Sequence, residues 1–251
     1  FLPQMPSSLL RRARLRAFPL LASLAVALPL AACGDDDETT APPAAPARVK
    51  IVHAVGDAPA VDVRIDDAAT PAVSNLAFRA STATYAEIPS GERRLRVSPT
   101  GTQTAVIDAR ATFAPGLDYT VIATGRVANA SLQPLVLVDS NTAPTAGQIR
   151  VRVVHAAATV GNVDVYVSAP GAPLPATATL TNVPFRGSSG YLSVPAGTYQ
   201  VRVTPAGNRN VVAIDVTTIP LPAGLVAKAI AVDPLPGQTA PGVIFTIDRT
   251  N

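Results

Sequence analysis

Two eighteen-residue stretches of this chain are closely similar, and this repeat limits the possible folds more than the composition does. Residues 48–65 read RVKIVHAVGDAPAVDVRI, and residues 150–167 read RVRVVHAAATVGNVDVYV. Each version carries one of the two histidines of the chain, His53 and His155, at its sixth position. A repeat that returns the same rare residue to the same position indicates two copies of one structural unit.

A second repeated block extends each copy to the length of a domain. Residues 85–101, YAEIPSGERRLRVSPTG, match residues 191–207, YLSVPAGTYQVRVTPAG, with seven identical positions. The distance between matched positions grows from 102 in the first block to 106 in the second, which indicates a small loop insertion between fixed strands. We therefore expect a first domain at 47–139, a linker at 140–147 and a second domain at 148–251.

The hydrophobic pattern within each copy is that of β-strands. Residues 61–65 (VDVRI) and 163–167 (VDVYV) alternate apolar and polar side chains. Turn sequences such as VPAGT and LPAG separate the runs, and the 25 prolines of the chain disfavour long helices. The sequence therefore predicts an all-β fold of two tandem antiparallel β-sandwiches, with an immunoglobulin-like or transthyretin-like arrangement.

Residues 1–32 have the organisation of a secretory signal peptide. Four arginines in RRARLR, at 11–16, precede the uncharged stretch AFPLLASLAVALPLAA, at 17–32. This order is typical of a signal peptide, and a buried core helix is the alternative. The stretch ends in LAAC, so Ala32 stands directly before Cys33, the only cysteine.

The LAAC sequence resembles the lipobox of bacterial lipoproteins, in which cleavage before the cysteine is followed by its lipidation. The resemblance implies a diacylglycerol-type anchor with acyl chains such as palmitate on Cys33. Each methylene buried in a bilayer contributes about 0.8 kcal/mol, so two or three such chains hold a protein firmly. A secreted protein with a free thiol at Cys33 is the alternative.

The residues after the cysteine suggest how the folded part is held at the membrane. Residues 33–46, CGDDDETTAPPAAP, combine four acids with Thr, Pro and Ala, so they are predicted to form an extended tether. Lipoproteins of the inner membrane often carry aspartate directly after the cysteine, whereas this chain has Gly34. The resemblance therefore favours the outer membrane, facing the periplasm or the cell surface.

The net charge of the chain changes when the signal peptide is removed. The sequence pI of about 9.4 describes the precursor. Residues 1–32 contain four of the 20 basic residues and none of the 17 acids, so the remainder is close to neutral. Because phosphate recognition needs clustered Lys and Arg, nucleic acid is not an expected partner.

The repeated histidines are the natural candidates for chemistry. His53 and His155 each stand nine residues before an aspartate, Asp62 or Asp164, and a His/Asp pair is half of a hydrolytic triad. The sequence offers no nucleophile motif and no cluster of metal ligands. We therefore expect no enzymatic activity, cofactor or metal. The four residues are interpreted as structural positions, with each histidine buried and bonded to the backbone or to the aspartate; a polar binding site is the alternative.

Strict alternation along the strands also suggests ion pairs between neighbouring strands. Asp62 and Asp164 would share an outward face with Arg96 and Arg202, respectively. Such solvated pairs contribute about 0.2 to 1 kcal/mol.

The motifs of the second copy carry a resemblance to a known family. They are RVVHA at 152–156, VDVYV at 163–167, VPF at 183–185 and the block at 191–207. Together they resemble the domain of unknown function 4397, a family of β-sandwich modules from secreted and surface-attached bacterial proteins. The resemblance extends over both copies and implies fold and location. It implies no activity, since the family has none to transfer.

Two kinds of function fit these features. The first is a structural or protein-interaction role at the bacterial surface, with an envelope protein as the partner. The alternative is a carbohydrate-binding module, which normally needs exposed aromatic rings. The chain has no tryptophan, and its tyrosines are Tyr85, Tyr119, Tyr166, Tyr191 and Tyr199.

Overall fold

A computed structural model describes residues 44–249, and they form an all-β structure. The predicted signal peptide, Ala32, Cys33 and most of the predicted tether lie outside the described residues. Within 44–249, no helix is long and apolar enough to cross a membrane.

Each copy contains eight strands, because its alternating runs are separated by turns rich in proline and glycine. In the first copy they are β1 (Ala47–His53), β2 (Val61–Ile65), β3 (Val73–Leu76), β4 (Ala86–Ile88), β5 (Gly91–Pro99), β6 (Ile107–Phe113), β7 (Asp118–Thr124) and β8 (Gln133–Asp139). In the second copy they are β9 (Gln148–His155), β10 (Val163–Ser168), β11 (Leu180–Val183), β12 (Ser188–Pro195), β13 (Gly197–Pro205), β14 (Ile214–Leu221), β15 (Val226–Val232) and β16 (Gly242–Arg249).

The strands of each copy form two four-stranded sheets with the same topology in both copies. The sheet that faces the other copy is called the inner sheet, with the order β4-β1-β7-β8 in the first copy and β12-β9-β15-β16 in the second. The outer sheets have the orders β3-β2-β5-β6 and β11-β10-β13-β14. The predicted pair of β-sandwiches is therefore confirmed.

One strand pair in each copy departs from the expected antiparallel arrangement. Strands β1 and β7 pair in parallel, as do β9 and β15, whereas the other pairs between named strands are antiparallel. The chain crosses to the outer sheet and returns twice between β1 and β7, so the two strands are not joined as a hairpin. A parallel pair needs such a long connection, and the alternation of side chains does not reveal strand direction.

The first sandwich is filled by the apolar side chains that alternate along its strands. Val49 and Ile51 of β1 belong to the core cluster, together with Leu95 of the outer sheet. The rings of Phe113 and Tyr119 meet edge to face, with centroids 4.9 Å apart. Complete burial of one such apolar side chain contributes about 1.5 to 3 kcal/mol.

The opposite face of each inner sheet is also buried, because the two inner sheets pack against each other. Val52 and Ile122 of the first copy share a core cluster with Val154 and Ile230 of the second. The described residues are thus stacked in four layers, in the order outer, inner, inner, outer. Strand β1 is therefore buried at every position except Arg48, as expected for a strand that is covered on both faces.

Candidate functional site

In each copy the repeated histidine ends the first inner strand and is hydrogen-bonded to the loop that leads to the first outer strand. His53 and His155 are almost completely buried. Their Nε2 atoms lie 3.0 Å from the carbonyl oxygen of Pro59 and 2.9 Å from that of Gly161, respectively. Because a carbonyl oxygen only accepts, Nε2 is the protonated nitrogen and donates in both copies.

The surroundings of the two rings favour the neutral imidazole. Burial lowers the pKa of His53 and of His155 below the usual value, and the backbone hydrogen bond opposes this only in part. The ring of Phe78 meets His53 edge to face at a centroid distance of 6.1 Å, and that of Phe185 meets His155 at 6.2 Å. A neutral, enclosed histidine bonded to the main chain is suited to a structural role.

Replacing His155 with alanine is expected to lower the free energy of unfolding by about 1 to 3 kcal/mol, since the Gly161 carbonyl loses its buried donor. Urea unfolding would measure the loss, and His53→Ala is the matched variant in the first copy. The wild-type protein should also lose stability as pH falls below about 6.5. At these pH values the histidines of the unfolded chain bind protons, whereas the lowered pKa of the buried rings keeps them neutral in the folded protein. A His155→Ala protein with unchanged stability would contradict this role.

The two aspartates after the histidines hold turns in place. Asp62 accepts hydrogen bonds from the backbone N–H groups of Asn75 and Gly101, at 2.9 and 3.1 Å. Asp164 accepts from Asn182 and Gly207, at 2.7 and 2.9 Å. The bonds from Asn75 and Gly101 lower the pKa of the Asp62 carboxyl below its usual value.

The predicted ion pairs of these aspartates with Arg96 and Arg202 are wrong. In the observed register Asp62 stands opposite Ser98, whereas Arg96 stands opposite Arg64. The acid nearest to Arg96 is Asp67, at 3.7 Å. Alternation identifies the face of a residue but not its register, and the local N–H groups already occupy the carboxylates.

A Phe-Arg turn that the sequence analysis missed joins the two copies reciprocally. Arg79 and Arg186 follow the phenylalanines that pack on the histidines, and both adopt a positive φ, of 67° and 64°. Arg79 donates to the carbonyl oxygen of Asp233 in the second copy, at 2.7 Å. Arg186 donates to the carbonyl oxygen of Ser131 in the first copy, at 2.6 Å. The signal was the repeated dipeptide Phe-Arg, in AFRA and PFRG.

A buried charge cluster lies between the inner sheets. Lys50 and Lys228 are at most 1% exposed. Nζ of Lys228 is 3.0 Å from Oδ2 of Asp139 and 2.5 Å from Oδ2 of Asp248. Nζ of Lys50 lies 3.4 Å from Oδ1 of Asp248. The hydroxyl of Tyr85 donates to Asp139 at 2.7 Å. The cluster therefore connects β1, β8, β15 and β16 across the boundary between the copies.

Burial determines the protonation behaviour in this cluster. It lowers the pKa of Lys50, although the carboxylate of Asp248 acts in the opposite direction. It raises the pKa of Tyr85, and the negative charge of Asp139 adds to this effect. Tyr85 therefore stays protonated and donates to the carboxylate. A charge in a protein interior needs well-placed partners, so an alignment of the copies that separated Lys228 from Asp139 would leave the carboxylate of Asp139 without its closest cation.

At one end of the boundary, loops from both copies surround an open depression of about 570 Å³. The first copy contributes Asp57 from the β1–β2 loop and Arg126 from the β7–β8 loop. The second contributes Thr159 from the β9–β10 loop and a segment at 233–238 that follows β15. We call this feature the junction depression. It exists only when the two copies are held side by side.

Asp233 is the unusual residue of the junction depression. It is 3% exposed, and its Oδ1 accepts hydrogen bonds from the backbone N–H and the hydroxyl of Thr159, at 2.8 and 2.7 Å. Its Oδ2 is buried and has no hydrogen-bond partner among the described residues. The matching position of the first copy is Gly125, so this carboxylate belongs to the second copy alone. A buried carboxylate oxygen without a donor is rare and can accept one from a ligand.

The tyrosines do not provide an exposed aromatic platform. All five lie within the described residues, and none falls in the exposed class. Tyr119 and Tyr166 are buried. The hydroxyl of Tyr191 points to Asp139, at 3.4 Å, and that of Tyr199 donates to the carbonyl oxygen of Pro195, at 2.6 Å.

Comparison with other proteins identifies a family and leaves the activity open. Curated proteins gave no match. The Bacillus anthracis TIE protein is similar in structure at 9% identity and a TM-score of 0.25, over 75% of this chain and 34% of that protein. CBMbc (family CBM26) of Eubacterium rectale Amy13K, solved with maltoheptaose, is similar at 11% identity and a TM-score of 0.27, over 82% of this chain and 97% of that one.

The model of one protein family matches both copies. Its description is "Domain of unknown function (DUF4397)", and the matched residues are 47–166 and 171–251. These segments cover nearly all of the chain after the predicted tether, and the repeated strands, turns and histidines described above lie within them. The chain belongs to the DUF4397 family.

Proposed function

We propose that this chain is a lipid-anchored protein of the bacterial cell envelope and that it acts by binding a partner protein. In this proposal Cys33 carries the lipid, and residues 33–46 separate the membrane from a rigid pair of β-sandwiches. The outer membrane is the proposed site of anchoring. The pair itself serves as a non-enzymatic interaction module.

The junction depression is the observation that supports this function best. Its walls come from four loops on two copies, and loops on a rigid scaffold are the usual place of binding residues. The buried charge cluster and the reciprocal arginines hold the copies in one arrangement. A partner would therefore meet a preformed surface, which reduces the entropy lost on binding.

The chemistry of the depression indicates what a partner must present. The Oδ2 of Asp233 has no donor but is buried, so a lysine or arginine side chain of the partner would reach it after a small movement of the surrounding loops. Across the depression the carboxylate of Asp57 is occupied by the backbone N–H groups of Val127 and Ala128, both at 3.0 Å. Asp233 is thus the proposed specific contact, and Arg126 lies at the partly exposed rim.

The carbohydrate-binding alternative has less support. Sugar binding on a β-sandwich normally uses exposed aromatic rings, but all five tyrosines are at least partly covered, and among the described residues Phe245 is the one exposed ring, at 37%. The hydroxyls of Tyr85, Tyr191 and Tyr199 are already engaged within the protein.

Crosslinking in living cells tests the proposal on the full, anchored chain. A photo-crosslinking amino acid at Thr159 is expected to capture one envelope protein, identified by mass spectrometry. Asp233→Asn should reduce that adduct at least tenfold and should weaken binding between the purified protein and the purified partner. The same amino acid at the exposed Thr198, outside the depression, is the matched control and should not capture it.

Two further measurements complete this test. Cys33→Ala should move the protein out of the membrane fraction, and a wild-type protein recovered with a free thiol would contradict the anchor. Equal capture from Thr159 and Thr198, or an adduct that is insensitive to Asp233→Asn, would contradict the interaction site. Binding to a glycan array without a protein adduct would support the carbohydrate alternative instead.

A further inference from the structure

The second sandwich contains an apolar cavity that the first sandwich lacks. Its volume is about 100 Å³, whereas the corresponding space in the first sandwich measures about 10 Å³. The cavity lies between the inner sheet β12-β9-β15-β16 and the outer sheet β11-β10-β13-β14. Protein cores are normally packed as tightly as organic crystals, so a difference of this size between two copies of one fold needs an explanation.

Smaller residues on the central inner strand create part of the space. Tyr119 of β7 stands opposite Val49, and the residue opposite the equivalent Val151 is Ala227. Two positions further along, Val121 is replaced by Ala229. Ala229 borders the cavity, so the two methyl groups missing there leave space, whereas Ala227 is not part of the cavity wall.

Two residues of the outer sheet are also smaller than those at the matching positions of the first copy. When β13 and β14 are matched with β5 and β6 of the first copy, Val201 corresponds to Leu95 and Leu221 corresponds to Phe113. Three substitutions act in the opposite direction, because the second copy has Tyr199, Ile219 and Val216 where the first copy has Arg93, Ala111 and Ala109. The ring of Tyr199 borders the cavity without filling it.

The wall of the cavity offers almost only hydrocarbon. Apart from His155, Thr179 and Tyr199, its lining residues are all valine, leucine, isoleucine or alanine. The Nε2 of His155 is bonded to Gly161, its Nδ1 is buried without a partner among the described residues, and the hydroxyl of Tyr199 is bonded to Pro195. Apolar cavities of this type stay dry and take up uncharged ligands such as benzene or xenon.

We propose that the core of the second sandwich is a binding site for an uncharged hydrocarbon group of about the size of a benzene ring. The group would be a small free molecule or the end of an alkyl chain, since both present the same surface to the wall. The site is separate from the junction depression, so the proposal is independent of the partner protein. The first sandwich serves as an internal control, because its equivalent space is filled by its own side chains.

Binding of benzene to the purified full chain, followed by methyl-resolved NMR, tests the site. Saturable shifts are expected for the methyl groups of Val151 and Val201, and none for those of Val49 and Leu95. Ala229→Val restores the residue of the first copy and should weaken binding at least tenfold. Val201→Leu restores the residue of the first copy in the outer sheet and should weaken binding in the same way. It replaces Ala229→Val in the test if that variant does not fold.

A second arm distinguishes the two sources of the hydrocarbon group. Titration with a lysolipid below its micelle concentration should shift the same methyl groups if an alkyl chain enters, and both filling variants should abolish this effect. Shifts by benzene alone would support a small free molecule. Absence of saturable binding by both probes, or equal binding by wild type and both filling variants, would overturn the proposal.

Discussion

Replacing Lys228 with methionine is expected to lower the free energy of unfolding by about 3 to 5 kcal/mol, because the change leaves buried carboxylates without their main cation. Lys228 lies 3.0 Å from Asp139 and 2.5 Å from Asp248, and the side chains of all three are fully buried. Methionine preserves most of the volume, so the loss would report the charge rather than packing. Urea unfolding at neutral pH would measure it.

An exposed ion pair of similar length provides the control for this variant. Arg110 and Glu92 approach to 2.7 Å, but their side chains are 67% and 57% exposed. Arg110→Ala should therefore change the stability by less than about 1 kcal/mol. If Lys228→Met cost no more than this control, the buried cluster would contribute nothing beyond what a hydrophobic side chain supplies.

The second half of the chain, residues 148–251, should fold when expressed alone but should melt well below the full chain or associate with itself. About 100 residues with a complete set of eight strands can form their own core. Without the first copy, however, Val154, Ile230 and Ile244 lose their packing partners, and Lys228 loses Asp139. The lost burial is on the order of 5 kcal/mol.

Thermal melts combined with sedimentation analysis would measure both effects. The matched control is the same fragment with Ile230→Thr and Ile244→Thr, which should remain monomeric where the unmodified fragment associates. An unmodified fragment that is monomeric and melts like the full chain would show that the copies are independent domains. A fragment with a random-coil spectrum would show instead that the second half lacks a self-sufficient core.

Much of the fold could be predicted from the sequence because repeats and alternation are local signals. The strands around Val61 and Val163 follow from alternating side chains, and the repeat required both copies to share a topology. The parallel pairing of β1 with β7 could not be predicted, since strand direction depends on crossings between sheets. The burial of β1 on both faces could not be predicted either, because Arg48, Lys50 and His53 interrupt its apolar residues.

The junction was harder to predict because its residues do not look unusual individually. A lysine on a strand, such as Lys50 or Lys228, normally indicates a solvated face, yet both lie between the inner sheets. Alignment of the two copies places Asp139 on Asp248, and Tyr85 on Tyr191. Polar residues that recur at matching positions of otherwise apolar strands were the signal that could have located the cluster. Asp233 has no counterpart in the first copy, so its unpartnered Oδ2 could be found only from the structure.

The four-layer stack also limits how many copies can be joined in this way. The two inner sheets bury their second apolar faces against each other, so neither face is left for a third copy. The outer sheet of the first copy instead carries charged pairs, such as Arg94 with Asp108 at 2.6 Å. Growth by the same contact therefore ends at two, and a longer chain built from these units would have to add them as closed pairs rather than one at a time.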